Sequence, residues 1–364
     1  MFKRRLFIPN RYLYILFTLL FACTSNKTAP ETKVPDHMPK FEVLINEFAF
    51  DDYIFLKKVV GPGALLMINN LGEIIWFQES DTTLVRPFMP YVDSYVTLES
   101  DSLLHQISYS GDTLLEMELG KESFDRPLHH EVLLDTENNF VAITNETILM
   151  DLSSVGGDLV DTLKTHGIIK FNKKGEKLFS WDITKVIDPL DYPNINTHKK
   201  DWGHANSMCI DTDGNYILSW RDFHQLWKID SKSGSLIWKT GIDTELPDSL
   251  IFYNQHAVHR DAKGRLILFD NGDNRKRKNS RYLALNTPVD GDFEFDFQIV
   301  LPDSLFSFKQ GNVYEINENA FLFNSSMTNY LIITNREGKI MWLAKSDHSF
   351  YRAYYVSKEI IKGE

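Results

Sequence analysis

Short apolar runs recur along most of this chain, with glycine-centred turns between them. The pattern is clearest from Asp201 to Trp238. A run carrying His204 and Asn206 reaches a turn at Asp211-Thr212-Asp213-Gly214-Asn215. A second, Tyr216 to Trp220, ends beside Arg221. A third, Gln225 to Asp230, turns at Lys232-Ser233-Gly234, and a fourth, Ser235 to Lys239, carries Trp238. Asp-Gly and Ser-Gly punctuation between runs rich in Ile, Leu and aromatics is hairpin chemistry. Four antiparallel strands in succession predict one blade of a β-propeller.

The unit repeats loosely. A glycine turn, apolar residues and a tryptophan occur at Gly72–Trp76, Gly175–Trp181, Gly234–Trp238 and Gly338–Trp342. The tryptophan spacing fits a period of about 52 residues, with degenerate copies at Gly111 to Leu115 and Asp292 to Val300. The predicted fold is therefore all-β, a six-bladed β-propeller of four-stranded antiparallel blades. An irregular β-sandwich is the alternative. An aromatic at one place in each blade packs blade against blade, so the tryptophans read as core. No internal helix of weight is expected, and Phe350 to Ile361 reads as a ring-closing strand or a short helix.

The N-terminus follows a different pattern. Lys3, Arg4, Arg5 and Arg11 precede an apolar run from Tyr12 to Ala22, and Leu20-Phe21-Ala22-Cys23 resembles a bacterial lipobox. The run is too short to span a bilayer comfortably. Residues 1–22 are expected to be a lipoprotein signal peptide, with acylation of Cys23, and residues 23–40 a flexible tether with Pro30, Pro35 and Pro39. Residues 41–364 form the propeller domain. The expected location is secreted and lipid-anchored, at the outer membrane or facing the periplasm. Cys209 is left as the one further thiol, so no disulfide is expected.

The net charge of −11 over 364 residues excludes a general nucleic-acid binder, which needs a basic face. Arg275-Lys276-Arg277-Lys278 is the one basic cluster, either a solvated loop or an attractor for anionic substrates. The 13% aromatic content favours strands.

Candidate chemistry sits at three histidine sites. Aligning Asp135, Asp211 and Asp261 at strand ends places His130, Asn206 and His256 in register, each five residues earlier. His204 shares a strand face with Asn206 by alternation. Equivalent positions in successive blades point into one channel, so His130, His204, Asn206 and His256 should converge. His129 and His259 should alternate away. His37, His105, His166, His198, His224 and His348 lack the pattern and read as structural. Arg221, a permanent cation with a donor fork, suits an oxyanion, and Arg281 lies on a later strand.

These residues resemble the bacterial aryl-sulfate sulfotransferases. The resemblance runs from about Tyr53 through Ile68 to Trp76, His204-x-Asn206, Ser219-x-Arg221, Gln255-His256, and Phe269-Asp270-Asn271-Gly272 with Ser280-Arg281. It implies a six-bladed propeller that moves a sulfuryl group from a phenolic sulfate ester to a phenol without a nucleotide (PAPS) donor. By position, His256 matches the transiently sulfurylated histidine. His130, His204, Asn206 and Arg221 match residues that hold the sulfuryl oxygens and assist proton transfer. The family's late hydroxyl residue has no clear counterpart, and Ser325 and Ser326 are candidates. The chain has too few cysteines for the disulfide of well-known members, and too little N-terminal length for their extra β-domain.

The resulting expectation is a ping-pong transferase with His256, His204, His130 and Arg221 catalytic, and Asn206, Ser325, Ser326 and Arg281 binding substrate. No metal and no cofactor are expected. The partners are a phenolic sulfate donor and a phenol acceptor, with the membrane reached through Cys23. No Gly-x-x-x-x-Gly-Lys loop for a nucleotide donor occurs in the sequence. Two other readings stand beside it: a metal-dependent propeller lyase or hydrolase with His130, His204 and His256 as ligands, and a non-catalytic propeller lipoprotein for binding or assembly.

Overall fold

The computed structural model describes residues 34–58, 61, 63–80, 87–121, 123–192, 194–286 and 293–361. The expected signal peptide, lipobox and Cys23 lie outside the described residues. Among the described residues no helix is long and apolar enough to cross a membrane. Residues 37–364 form one compact unit.

Six antiparallel sheets make the six blades. Blade I holds Tyr53–Lys58, Gly63–Ile68 and Ile74–Ser80, with the C-terminal Phe350–Val356 paired inside them. Blade II is Phe88–Pro90, Ser94–Ser100, Leu103–Ser108 and Thr113–Glu118. Blade III is Leu128–Leu134, Phe140–Met150, Asp161–Phe171 and Lys177–Asp182. Blade IV is Ala205–Ile210, Tyr216–Trp220, Gln225–Ile229 and Leu236–Gly241. Blade V is His256–Arg260, Leu266–Asp270, Arg281–Asn286 and Glu294–Val300. Blade VI is Asn312–Asn317, Ala320–Ser325, Tyr330–Thr334 and Ile340–Ser346. Phe41–Asn46 adds a fifth strand outside Ile340–Ser346. The two ends of the folded chain thus join different blades, and the last strand closes the ring. The segment after Phe350 resolves into both expected forms, a strand to Val356 and then a short 3-10 turn at Lys358–Ile361.

The glycine–tryptophan repeat has a physical basis between blades. Trp76 donates its indole N–H to Tyr109 O at 3.1 Å, Trp181 to Gly234 O at 2.8 Å, and Trp342 to Asn70 O at 2.9 Å. Each acceptor lies in the outer turn of the next blade. Trp238 instead packs edge-on against Phe293 of blade V, with centroids 5.0 Å apart. The degenerate copy at Gly111 leads into the outer strand of blade II, and the described part of the other contains Glu294–Val300, the outer strand of blade V. Buried apolar side chains fill the spaces between sheets, with Trp181, Trp220 and Trp227 in one cluster joining blades III and IV. Truncating such a buried tryptophan costs about 3–5 kcal/mol.

The inner strands of all six blades surround a cavity of about 200 Å³, which Met89, Leu133, Cys209, Val258, Val313 and Tyr354 help line. Cys209 is a buried free thiol whose pKa burial pushes up to about 12, so it stays protonated.

Candidate active site

At one mouth of this channel lies a separate cavity of about 260 Å³. His129, His130, His204, Asn206, Arg221 and His256 line it, together with Lys309, Gln310 and Tyr351. The structure thus brings together His130, His204, Asn206, Arg221 and His256 from blades III, IV and V. Blade VI adds Lys309 and Gln310, and the closing strand adds Tyr351.

Local backbone irregularity places them. His129 pairs with Ile143 and Val132 with Ala142, so His130 and Glu131 bulge from the ladder. Ala205 pairs with Trp220 and Ser207 with Ser219, leaving Asn206 as the extra residue. His256 pairs with Phe269 and His259 with Ile267, with the shift between them. His130, His204 and Ala257 have positive φ at 54°, 46° and 53°. Bulges re-aim side chains beside functional sites, and positive φ is uncommon outside glycine. This breaks simple alternation. His129, expected to face away, lines the cavity beside His130.

His256 is held on both sides. Its Nδ1 donates to Gly311 O at 2.7 Å, and Tyr351 Oη lies 3.2 Å from its Nε2. The preceding residue, Gln255, fixes it to blade IV by donating to Ser219 Oγ, Trp220 O and Gln225 O. Asn206 donates to Gln255 O at 2.7 Å, so it both lines the cavity and steadies the strand that carries His256. Burial, then the nearby Arg352 guanidinium, holds the His256 imidazole well below its ordinary pKa. It is neutral at pH 7, with the Nε2 lone pair toward the cavity.

A hydrogen-bonded cluster occupies the opposite wall. His130 Nδ1 is 2.6 Å from His129 Nδ1, and His129 Nε2 is 2.9 Å from His166 Nδ1. His166 Nε2 is 2.9 Å from Asp201 Oδ1, and Asp201 Oδ2 is 2.5 Å from His204 Nδ1. The rings of His130 and His204 face one another edge-on, with centroids 5.1 Å apart. Burial is the main cause that lowers the pKa values of His129, His130 and His166. Burial opposes ionisation of Asp201, but hydrogen bonds from His166 and His204 outweigh it and hold its carboxyl far below the usual range. His166 had no pattern to mark it. The signal lies in the strand pairing that sets Asn145 opposite it and in the loop that brings Asp201 back.

Arg221 Nε donates to Asp222 Oδ1 at 2.8 Å, leaving the end of its fork for the cavity. Arg221 and Lys309 also line a wider outer cleft of about 490 Å³ with Asp273, Arg275 and Phe308. The basic cluster divides there, because Arg277 pairs with buried Asp270.

Three candidate binding residues lie elsewhere. Arg281 is buried and donates to Asp270, Ser249 O, Ile251 O and Gln298 Oε1, which fixes blade V. Ser325 donates to Leu305 O at 2.8 Å and contacts Thr328 Oγ1. Ser326 is one step removed and donates to Gln310 Oε1 at 3.2 Å. None of the three lines the cavity. Strand order suggests Arg281, and the family resemblance the two serines, whereas in the structure the three side chains make the bonds just given.

The propeller's blades deliver imidazoles, a guanidinium and an ammonium to one channel mouth. The chain belongs to the arylsulfotransferase (ASST) family, whose model matches residues 33–320. It is 24% identical to the arylsulfate sulfotransferase AssT of Lelliottia amnigena over 39% of this chain. That match spans 35% of the relative's length. In fold, a protein of unknown function from Bacteroides caccae is similar with a TM-score of 0.53 at 10% identity, covering 84% of this chain and 98% of that one.

Proposed function

We propose that the protein transfers a sulfuryl group from an aryl sulfate to a phenolic acceptor through a sulfurylated His256. The observation that carries this reading is the orientation of His256. A donor hydrogen bond from Nδ1 to Gly311 O fixes the tautomer and leaves Nε2 as a lone pair beside Arg221. A neutral imidazole so held is a competent nucleophile.

The chemistry follows in two halves. Nε2 of His256 attacks sulfur in line, the ester S–O bond breaks, and an S–N bond forms. The leaving aryl oxygen takes a proton from His204, whose carboxylate partner Asp201 balances the positive charge. Arg221 and Lys309 orient the sulfonate oxygens. In the second half a phenol attacks the sulfur, the S–N bond breaks, and the phenolic proton returns to His204. His256 keeps its Nδ1–H on Gly311 O throughout. The N-terminal pattern supports a lipid-anchored, extracytoplasmic location for this activity.

Incubation with 4-nitrophenyl sulfate and a phenol tests the proposal. The expected result is release of 4-nitrophenolate, sulfation of the acceptor, and a mass increase of one sulfuryl group on the His256 peptide after a donor-only quench. His256→Asn should retain the fold and lose both signals. Continued turnover by that variant would remove His256 from its role.

A further inference from the structure

Hydrogen-bond logic determines more of the opposite wall than its distances alone. An ionised carboxylate only accepts, so Asp201 requires donors at His166 Nε2 and His204 Nδ1. A neutral His166 then presents Nδ1 as an acceptor, and His129 must donate from Nε2. A neutral His129 in turn presents Nδ1 as an acceptor, and His130 must donate from Nδ1. Three contacts thus point one way, from His130 through His129 and His166 to Asp201, and the fourth, from His204, arrives from the other side. Both termini, His130 Nε2 and His204 Nε2, are left as bare nitrogens toward the cavity.

We propose that His129, His166 and Asp201 are positioning residues that divide the labour of the two cavity imidazoles. Through them His130 is locked as the Nδ1–H tautomer, a pure acceptor at Nε2. His204, in direct contact with the one carboxylate, is the single proton carrier. The cluster has one negative charge, and one added proton makes it neutral. That proton sits on His204 Nε2, leaves with the aryl oxygen in the first half-reaction, and returns in the second. His130 keeps its lone pair in both and, as the Nδ1–H tautomer, offers no donor to the acceptor oxygen. The acceptor subsite therefore selects a protonated phenol and disfavours a phenolate. The kinetic part of this inference rests on the sulfuryl-transfer reading, whereas the tautomer part does not. His204 is faced by Asp201 in its own loop, His129, His130 and His166 from blade III, and Arg221 from blade IV. His256 from blade V, Lys309 before blade VI and Tyr351 of the closing strand complete its surroundings.

Two substitutions at buried His166 separate the readings. His166→Gln keeps a donor for Asp201 and an acceptor for His129. His166→Leu keeps neither. Nitrogen NMR of the full chain labelled in histidine reads the tautomers, and thermal melting reads the fold. The expected result is that His166→Gln preserves the Nδ1–H form of His130, and His166→Leu converts it to Nε2–H. In the same variants, transfer to phenol should drop by about 10²-fold in His166→Leu and be restored in His166→Gln. The donor-only burst of 4-nitrophenolate should drop less than the acceptor step. The inference is overturned if folded His166→Leu keeps the His130 tautomer. It is also overturned if Gln and Leu slow both half-reactions equally. A wild-type protein with the stated tautomers but no phenolate release would leave the cluster standing and remove the transferase reading instead.

Discussion

His256 and Gly311 lie on different blades, yet the imidazole Nδ1 of one donates to the carbonyl of the other at 2.7 Å. Gly311 has φ +76°, and a Cβ built there would sit 2.2 Å from Asn324 O. Its N–H also donates to Tyr351 O at 3.1 Å. One glycine therefore orients His256 and anchors the strand that carries Tyr351. Gly311→Ala should shift that carbonyl and lower kcat by about 10²-fold, while circular dichroism still reports a folded β-protein. Full activity in Gly311→Ala would show that this hydrogen bond does not set the geometry.

The pH dependence follows from the depressed imidazoles. Protonation of His256 would remove the proposed nucleophile, and burial, then Arg352, keeps its folded pKa well below the ordinary value. Single-turnover desulfation of 4-nitrophenyl sulfate should therefore persist below pH 6.5, the ordinary imidazole value, when followed by stopped flow. A loss of the burst with a midpoint at that ordinary value would contradict this placement.

Stability has the same sign. The unfolded chain binds protons near pH 6.5, whereas buried His129, His130 and His256 resist them. Below that value the unfolded state holds more protons, so stability is full above it and falls as pH drops. Denaturant titrations at pH 7.5 and pH 5 should show a lower midpoint in acid. Replacing His130 by Asn should reduce the difference.

Arg352 of the closing strand donates to Glu131 Oε1 of blade III at 2.7 Å, with both side chains buried. Removing one member of a buried ion pair leaves the other charge uncompensated, at a cost of about 3–5 kcal/mol. Glu131→Gln should destabilise the propeller by that order in urea unfolding. A change below about 1 kcal/mol would mean that the pair is solvated.

Arg221→Lys keeps the charge and loses the planar fork. A hydrogen bond to a charged group is worth about 1.5–3 kcal/mol, so kcat/KM for the sulfate donor should fall about tenfold to a hundredfold. The fall should appear with donors of any leaving group, because in the proposed reaction Arg221 grips the sulfonate and not the aryl oxygen.

The repeat was legible because it carries a contact. The turns at Gly72, Gly111 and Gly234 each receive a neighbour's indole N–H, and that contact constrains where Gly and Trp stand in the repeat. His130, Asn206, His204, Arg221 and His256 were legible because they sit at strand ends of comparable blades. His129 was not, since the bulge at His130 and Glu131 cancels the two-residue period on which its orientation was judged. Tyr351, Lys309 and Gln310 belong to blades with no histidine to mark them. His166 and Asp201 lie 35 residues apart, and only the fold brings them together. Arg281 and Ser325 bond within the fold instead, because residues on adjacent strands can turn away from the cavity and find partners there.

The closing strand has one more consequence. Tyr351 and Arg352 are made after every other residue named at the cavity, and they pair beside Tyr53–Lys58 at the far end of the chain. An emerging polypeptide has all its imidazoles before it has a finished pocket. Sulfuryl transfer would therefore time the moment of circularisation, and truncation a few residues before Phe350 should yield a product that is silent however well its blades have formed.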